Sequence, residues 1–246
     1  MHEGLNRSIE NYVNAAGTLG SLCENVTGIP LPETTLSHFQ KTMHAIRVID
    51  HKLDWTSDKQ KRFLFSSQVM DYLRDNAKSF DSDQLLEKPL GAFRSVIKSL
   101  PEEGEQTMLR TLDTIFKVTE EIRHITDIKR LTRLIRLEGQ LTSRLFLTML
   151  PSDYKQSEKY PKVIKAMTRL GRVANTYDSF VDLPSDYEAQ EVAIRPTVRN
   201  RVRLLTRAPS DVRELFSATP PTKKLLGQIA SGVIVTNANP SRKAAR

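Results

Sequence analysis

The sequence predicts an all-α fold. Glycine is scarce, 10 residues in 246, whereas strand-rich chains use glycine at their many turns. Apolar residues recur at helical spacing in one segment after another. No stretch alternates apolar and polar residues as a half-buried strand would, and no internal repeat is present. Hydrophobic residues make up 39% and charged residues 27%, a folded and soluble balance rather than a disordered one.

The elements follow in order. Residues 8–23 read as a first, weakly patterned helix, and 27–35, with Pro30 and Pro32, as a loop. Residues 36–53 place Phe39, Met43, Ile46, Ile49 and Leu53 at helical spacing. Thr56-Ser57-Asp58 breaks that pattern and caps the next helix, 59–76. A polar stretch, 81–88, ends at Pro89, and a short helix over 90–100 is closed by Pro101. Residues 102–149 hold no proline and read as two helices broken near 124–127. After a loop over 151–161, a helix is expected over 162–183, ended by Pro184. Short helices are expected over 197–205, 210–217 and 222–236, then a basic disordered tail, 237–246. Residues 1–236 would form one helical domain.

The net charge is +8, which suits nucleic acid, an anionic small molecule or an acidic membrane surface. Between Arg195 and Arg213 stand six arginines against one acid, Asp211. The lone cysteine, Cys23, has no partner for a disulfide or a thiolate zinc site and reads as a buried packing residue. No stretch is long and apolar enough for a signal peptide or a membrane span. A cytoplasmic location follows as the expectation, with peripheral membrane contact through the basic surface as its extension.

Candidate chemistry lies in two acidic segments. In Asn175-Thr-Tyr-Asp178-Ser-Phe-Val-Asp182-Leu-Pro-Ser-Asp186, the residues Asn175, Asp178 and Asp182 fall on one narrow helical face, and Asp186 continues the spacing. Carboxylates one turn apart repel and weaken a helix, but a row of oxygen donors suits a hard divalent cation. In Arg47-Val-Ile-Asp50-His-Lys-Leu-Asp54, Asp50 and Asp54 repeat that spacing with Arg47 on the same face. Either pair alone equally fits a solvated acidic stripe. Between them lies a basic helix in which Arg133, Arg136, Gln140 and Arg144 share one side. Gly139 sits in its middle, where glycine costs about 1 kcal/mol relative to alanine. A close neighbour, another helix or a ligand, would explain it.

Taken in order, these segments resemble the squalene and phytoene synthase branch of the isoprenoid synthases, over roughly residues 36–205. The stretch 44–54 resembles the first aspartate motif, 136–146 the glycine-bearing helix, 175–187 the second aspartate motif and 192–196 the segment after it. The chain departs from that pattern in lacking a doubled aspartate in the first motif and in having one glycine where two are common.

The resemblance implies an α-helical bundle around a central cavity, with the two motifs facing each other across it and binding Mg²⁺, or Mn²⁺ in its place, with a prenyl diphosphate. It makes Asp50, Asp54, Asp178 and Asp182 the catalytic metal ligands, with Asn175 and Asp186 beside them. Arg47, Arg133, Arg136, Arg144 and Arg195 would bind diphosphate oxygens, and Tyr177 and Phe180 would lead an aromatic lining drawn from Phe39, Phe63, Phe65, Tyr72, Phe93, Phe116 and Phe146. The expected activity is ionisation of an allylic prenyl diphosphate, followed by coupling or cyclisation of the carbocation. Two other readings stay open: a non-catalytic helical scaffold or accessory subunit, and a basic nucleic-acid-binding protein. The last is disfavoured because aspartates at 50, 54, 178 and 182 serve no polyanion. Chain length of the substrate, product and oligomeric state are left open by sequence.

Overall fold

The structure, a computed structural model, describes residues 2–77, 80 and 84–219, and within these all side chains but those of 2–8 and 84. Helices alone build it, with no strand among the described residues. They are α1 His2–Thr27, α2 Glu33–Asp54, α3 Lys59–Leu73, α4 Gln84–Lys98, α5 Glu102–His124, α6 Ile128–Thr148, α7 Ser152–Gln156, α8 Tyr160–Glu188, α9 Val198–Leu204 and α10 Ala208–Ala218, with a 3₁₀ turn Leu205–Arg207 before α10. The expected 222–236 helix, the 237–246 tail and the outer bounds of the single domain lie outside the described residues. No described helix is long and apolar enough to cross a membrane.

Local chemistry sets several boundaries. Asp58 caps α3 by accepting from the Lys61 N–H at 2.8 Å, and Asp127 caps α6 by accepting from Lys129 N–H at 3.0 Å. The break expected near 124–127 is therefore present, because Ile125 and Asp127 are extended there. Helix α5 opens with Glu102, Glu103 and Glu105 and closes with Arg123 and His124, matching charge to the helix dipole at both ends.

Two prolines do not act as the sequence suggests. Pro89 lies inside α4, which starts at Gln84 rather than at Leu90. Leu86, Leu90, Phe93 and Ile97 form one buried stripe across it, and their burial outweighs the one backbone bond the proline removes. Pro184 likewise lies inside α8, which runs on to Glu188. Its missing N–H leaves the Phe180 carbonyl without a helical donor. Arg201 from α9 supplies one, with Nε donating to Phe180 O at 3.3 Å and its guanidinium 4.6 Å from the centre of the Phe180 ring. The presumed 151–161 loop also contains a short helix, α7, whose buried Tyr154 donates its hydroxyl to the carbonyl of Ile29.

Two apolar clusters form the core. The larger joins α1 to α5, α7 and the C-terminal half of α6 with the N-terminal half of α8 and with α10, around Phe39, Phe93, Met108 and Phe146. Cys23 is buried in it, its Sγ 3.6 Å from Met167 Sδ. The smaller gathers Ile125, Ile128, Leu131, Ile135, Leu183, Ile194 and Leu204. Helices α6 and α8 run through both. Where they cross, a Cβ placed on Gly139 would lie 2.2 Å from the Gly171 carbonyl oxygen, and one on Gly171 2.2 Å from that of Gly139. The mid-helix glycine thus marks a close approach of helix to helix. Ser143 adds a hydrogen bond across the crossing, from Oγ to Met167 O at 2.8 Å.

Candidate functional site

Between the two apolar clusters lies a cavity of about 240 Å³. Helix α2 contributes Asp50 and Asp54 to its wall, and α8 contributes Asn175, Asp178, Asp182 and Asp186. The two acidic segments, far apart in sequence, thus line one space. The continuation of α8 through Pro184 brings Asp186 onto the same face as Asp178 and Asp182. Ile46, Ile49 and Leu53 of α2, Leu112 and Phe116 of α5 and Ile135 of α6 supply apolar wall.

The cavity is strongly acidic. Glu138 from α6 and Glu191, just beyond α8, also line it, against a single lining cation, Arg123. Both acidic positions of α2 are held by buried guanidinium groups. Arg47 Nη1 donates to Asp50 Oδ2 at 2.7 Å, and Arg123 Nη2 donates to Asp54 Oδ1 at 3.0 Å. Arg47 also lies 5.4 Å from the centre of the Tyr12 ring. Burial first, then the charges of Asp50 and Asp178, pushes the Tyr12 hydroxyl well above the usual tyrosine range. It therefore stays a neutral donor.

Glu138 is held in the wall by side chains of two other helices. It accepts from Thr119 Oγ1 at 2.5 Å and from Asn175 Nδ2 at 2.9 Å, and Asn175 Nδ2 also donates to the Ile135 carbonyl at 3.0 Å. Burial raises its pKa, opposed by those two hydrogen bonds and reinforced by Asp50. Asn175 thus spends its amide nitrogen on orienting Glu138, leaving only its oxygen for a ligand. Among the described residues, no three His, Cys, Asp or Glu side chains come together closely enough to enclose a metal ion by themselves.

No family model, curated protein or solved structure matches the chain.

Several residues expected at the site lie elsewhere. Arg133 and Arg136 face away from the cavity. Helix α6 turns Leu131, Ile135, Glu138 and Thr142 towards it, and at about 100° per residue Arg136 points roughly a third of a turn aside and Arg133 about half a turn. They line a separate cleft. Arg144 and Arg195 are exposed and line neither space. Tyr177 and Phe180 are half-buried outside the cavity, Phe180 under Arg201. Of the aromatic candidates only Phe116 reaches the wall. Phe39, Phe65, Tyr72, Phe93 and Phe146 are core, and Phe63 is 70% exposed. The buried residues of α8 are Val163, Ala166, Met167, Thr176 and Leu183, whereas Ala174 is exposed.

The residues missed from sequence are Tyr12, Arg123, Glu138 and Glu191. Only Glu138 left a trace, as a carboxylate at helical spacing within the stripe Leu131, Ile135, Thr142.

Proposed function

We propose that the chain is a Mg²⁺-dependent enzyme acting on an allylic prenyl diphosphate, of the kind its aspartate segments resemble. The observation that carries this reading is the convergence of Asp50 and Asp54 with Asp178, Asp182 and Asp186 on one cavity with an apolar wall. An acidic stripe that merely faced solvent would have no reason to meet a second one inside a bundle, where like charges repel.

The donor set fits Mg²⁺. All candidate ligands are hard carboxylate oxygens, and Mg²⁺ characteristically takes one or two of them and fills its shell with water and substrate phosphate. One or two of Asp50, Asp54, Asp178, Asp182 and Asp186 would hold it. When bound, Mg²⁺ offsets the negative charge that builds on a departing diphosphate. Arg47 and Arg123 fix the α2 carboxylates, and Arg123, the cation in the cavity wall, can turn guanidinium N–H groups to diphosphate oxygens, whereas Arg47 lies behind the wall and acts through Asp50. The wall of Ile46, Ile49, Leu112, Phe116 and Ile135 excludes water from a carbocation. A volume of about 240 Å³ lies below the usual span for small-molecule pockets, about 300–1,000 Å³. That favours a short prenyl tail.

The test is turnover of dimethylallyl, geranyl, farnesyl and geranylgeranyl diphosphate with Mg²⁺, followed by diphosphate release and product analysis. Turnover is expected with a preference for the shorter substrates, abolished by EDTA and by Asp178→Asn/Asp182→Asn. Mg²⁺ with inorganic diphosphate should also raise the melting temperature of the wild type and not of that variant. No release from any of the four substrates, together with an unchanged melting curve, would return the chain to the scaffold reading.

A further inference from the structure

We propose that the cleft between α6, α8 and the 3₁₀–α10 segment is a second ligand site, for a soluble small molecule bearing two or three linked phosphoryl groups. This cleft has a volume of about 630 Å³ and takes no part in the acidic cavity. Six cations line it, Lys129, Arg133, Arg136, Arg169, Arg203 and Arg207, against one carboxylate, Glu214.

Two of its lining arginines, Arg136 and Arg169, are held by a buried carboxylate behind them. Asp211 is 1% exposed and accepts from Arg136 Nε at 2.9 Å, from Arg136 Nη2 at 3.0 Å and from Arg169 Nη1 at 2.7 Å. Arg172 Nη1 lies 3.9 Å from the same carboxylate. Three guanidinium groups thus crowd one buried carboxylate. The crowding is visible in Arg172, whose pKa is lowered by burial first and then by Arg169 and Arg136. Its Nε is buried without a hydrogen-bond partner. Asp211 fixes the arginine planes in advance, so little side-chain entropy is lost when a ligand arrives.

The rim is free to bind. Among the described residues, no carboxylate pairs with Lys129, Arg133, Arg203 or Arg207. Even after Asp211 and Glu214 are set against the six cations, four positive charges remain. A single phosphate monoester carries roughly 1.5 to 2 negative charges at neutral pH, so two or three linked groups are needed to match them.

Shape selects a small molecule over a larger polyanion. The cations line a concavity, and no aromatic side chain lines it for base stacking. A flat membrane surface would not reach its base.

The deciding measurement is calorimetric titration of the full chain with inorganic triphosphate at physiological salt in the presence of EDTA. One binding event is expected in the wild type. It should survive Asp178→Asn/Asp182→Asn, because the acidic cavity needs a divalent cation to hold phosphate. It should weaken at least tenfold in Arg133→Glu/Arg207→Glu, two exposed positions whose change leaves the melting temperature near that of the wild type. No heat in the wild type overturns the proposal. So does a loss in the aspartate variant with retention in the arginine variant, which would place the anion in the acidic cavity. Tighter binding of duplex oligonucleotides, or of phosphatidylserine vesicles, than of triphosphate also overturns it, in favour of a macromolecular surface.

Discussion

Gly139 and Gly171 meet backbone to backbone, and no other residue fits at either place. A methyl group on either would lie 2.2 Å from the opposite carbonyl oxygen, so the helices would have to separate. Gly139→Ala is therefore expected to destabilise the fold by about 3 kcal/mol, towards the upper end for overpacking. Gly17 is the control. It lies within α1 with nothing within 4 Å of its would-be Cβ, and Gly17→Ala should stabilise by up to about 1 kcal/mol. Urea denaturation of the two variants checks both signs. Gly139 could be singled out in the sequence because a glycine inside a leucine-rich helix demands a reason. Gly171 could not, since its reason exists only across the crossing. The same limit divides the site. Asp50, Asp54, Asp178 and Asp182 announce themselves by unfavourable like-charge spacing. Arg123 looks like an ordinary cation at a helix end, and nothing local shows that it reaches Asp54.

Helix α3 buries Phe65, Val69, Met70, Tyr72 and Leu73 in the larger core cluster, and a pinned arginine ties it to α5. Arg62 donates through Nε and Nη2 to the carboxylate of Glu120 on α5, both at 2.9 Å, and through Nη1 to the carbonyls of Thr56 and Ser57 at 2.9 and 2.7 Å. Arg62 is buried and Glu120 is mostly covered. Arg62→Ala should destabilise by about 2 kcal/mol, since hydrogen bonds to charged groups are lost and carbonyls are orphaned. Burial alone would raise the Glu120 pKa, but the hydrogen bond from Arg62 and then that from His124 overcome it and hold the carboxyl below its ordinary 4.5. The contribution of this pair is thus fully present above pH 4.5 and is lost as the pH falls through the folded value. Thermal melts between pH 7 and 3 should show that loss in the wild type and a flatter profile in Arg62→Ala. At this scale most helices were legible from apolar spacing and caps. The misplaced ends fall at Pro89 and Pro184, where tertiary packing overrides a local breaker.

Across the whole molecule, charge is sorted and not averaged. The net +8 conceals an acidic cavity and a basic cleft that share the walls of α6 and α8. The basic excess between Arg195 and Arg213 was evident in sequence, but its division was not. Arg203 and Arg207 line the cleft, Arg201 serves α8, and Arg195 and Arg199 stand exposed. Helical periodicity gives each face of α6 a character, yet which face meets which space depends on the rotation set by the glycine crossing. That rotation is why Arg133 and Arg136 could be assigned to a phosphate and still be assigned to the wrong side of the helix.

The bond from Arg201 to the Phe180 carbonyl makes two positions historically contingent. The carbonyl needs Arg201 only because Pro184 cannot donate to it. In a Pro184→Ala background the helix would supply its own N–H, and Arg201→Ala should then cost about 1 kcal/mol less than it does in the wild type. A double-mutant cycle measures that difference, and strict additivity would disprove the dependence. If the coupling holds, each residue permits the other. A lineage carrying this proline is bound to keep the arginine, and one that lost the proline would be free to let it drift.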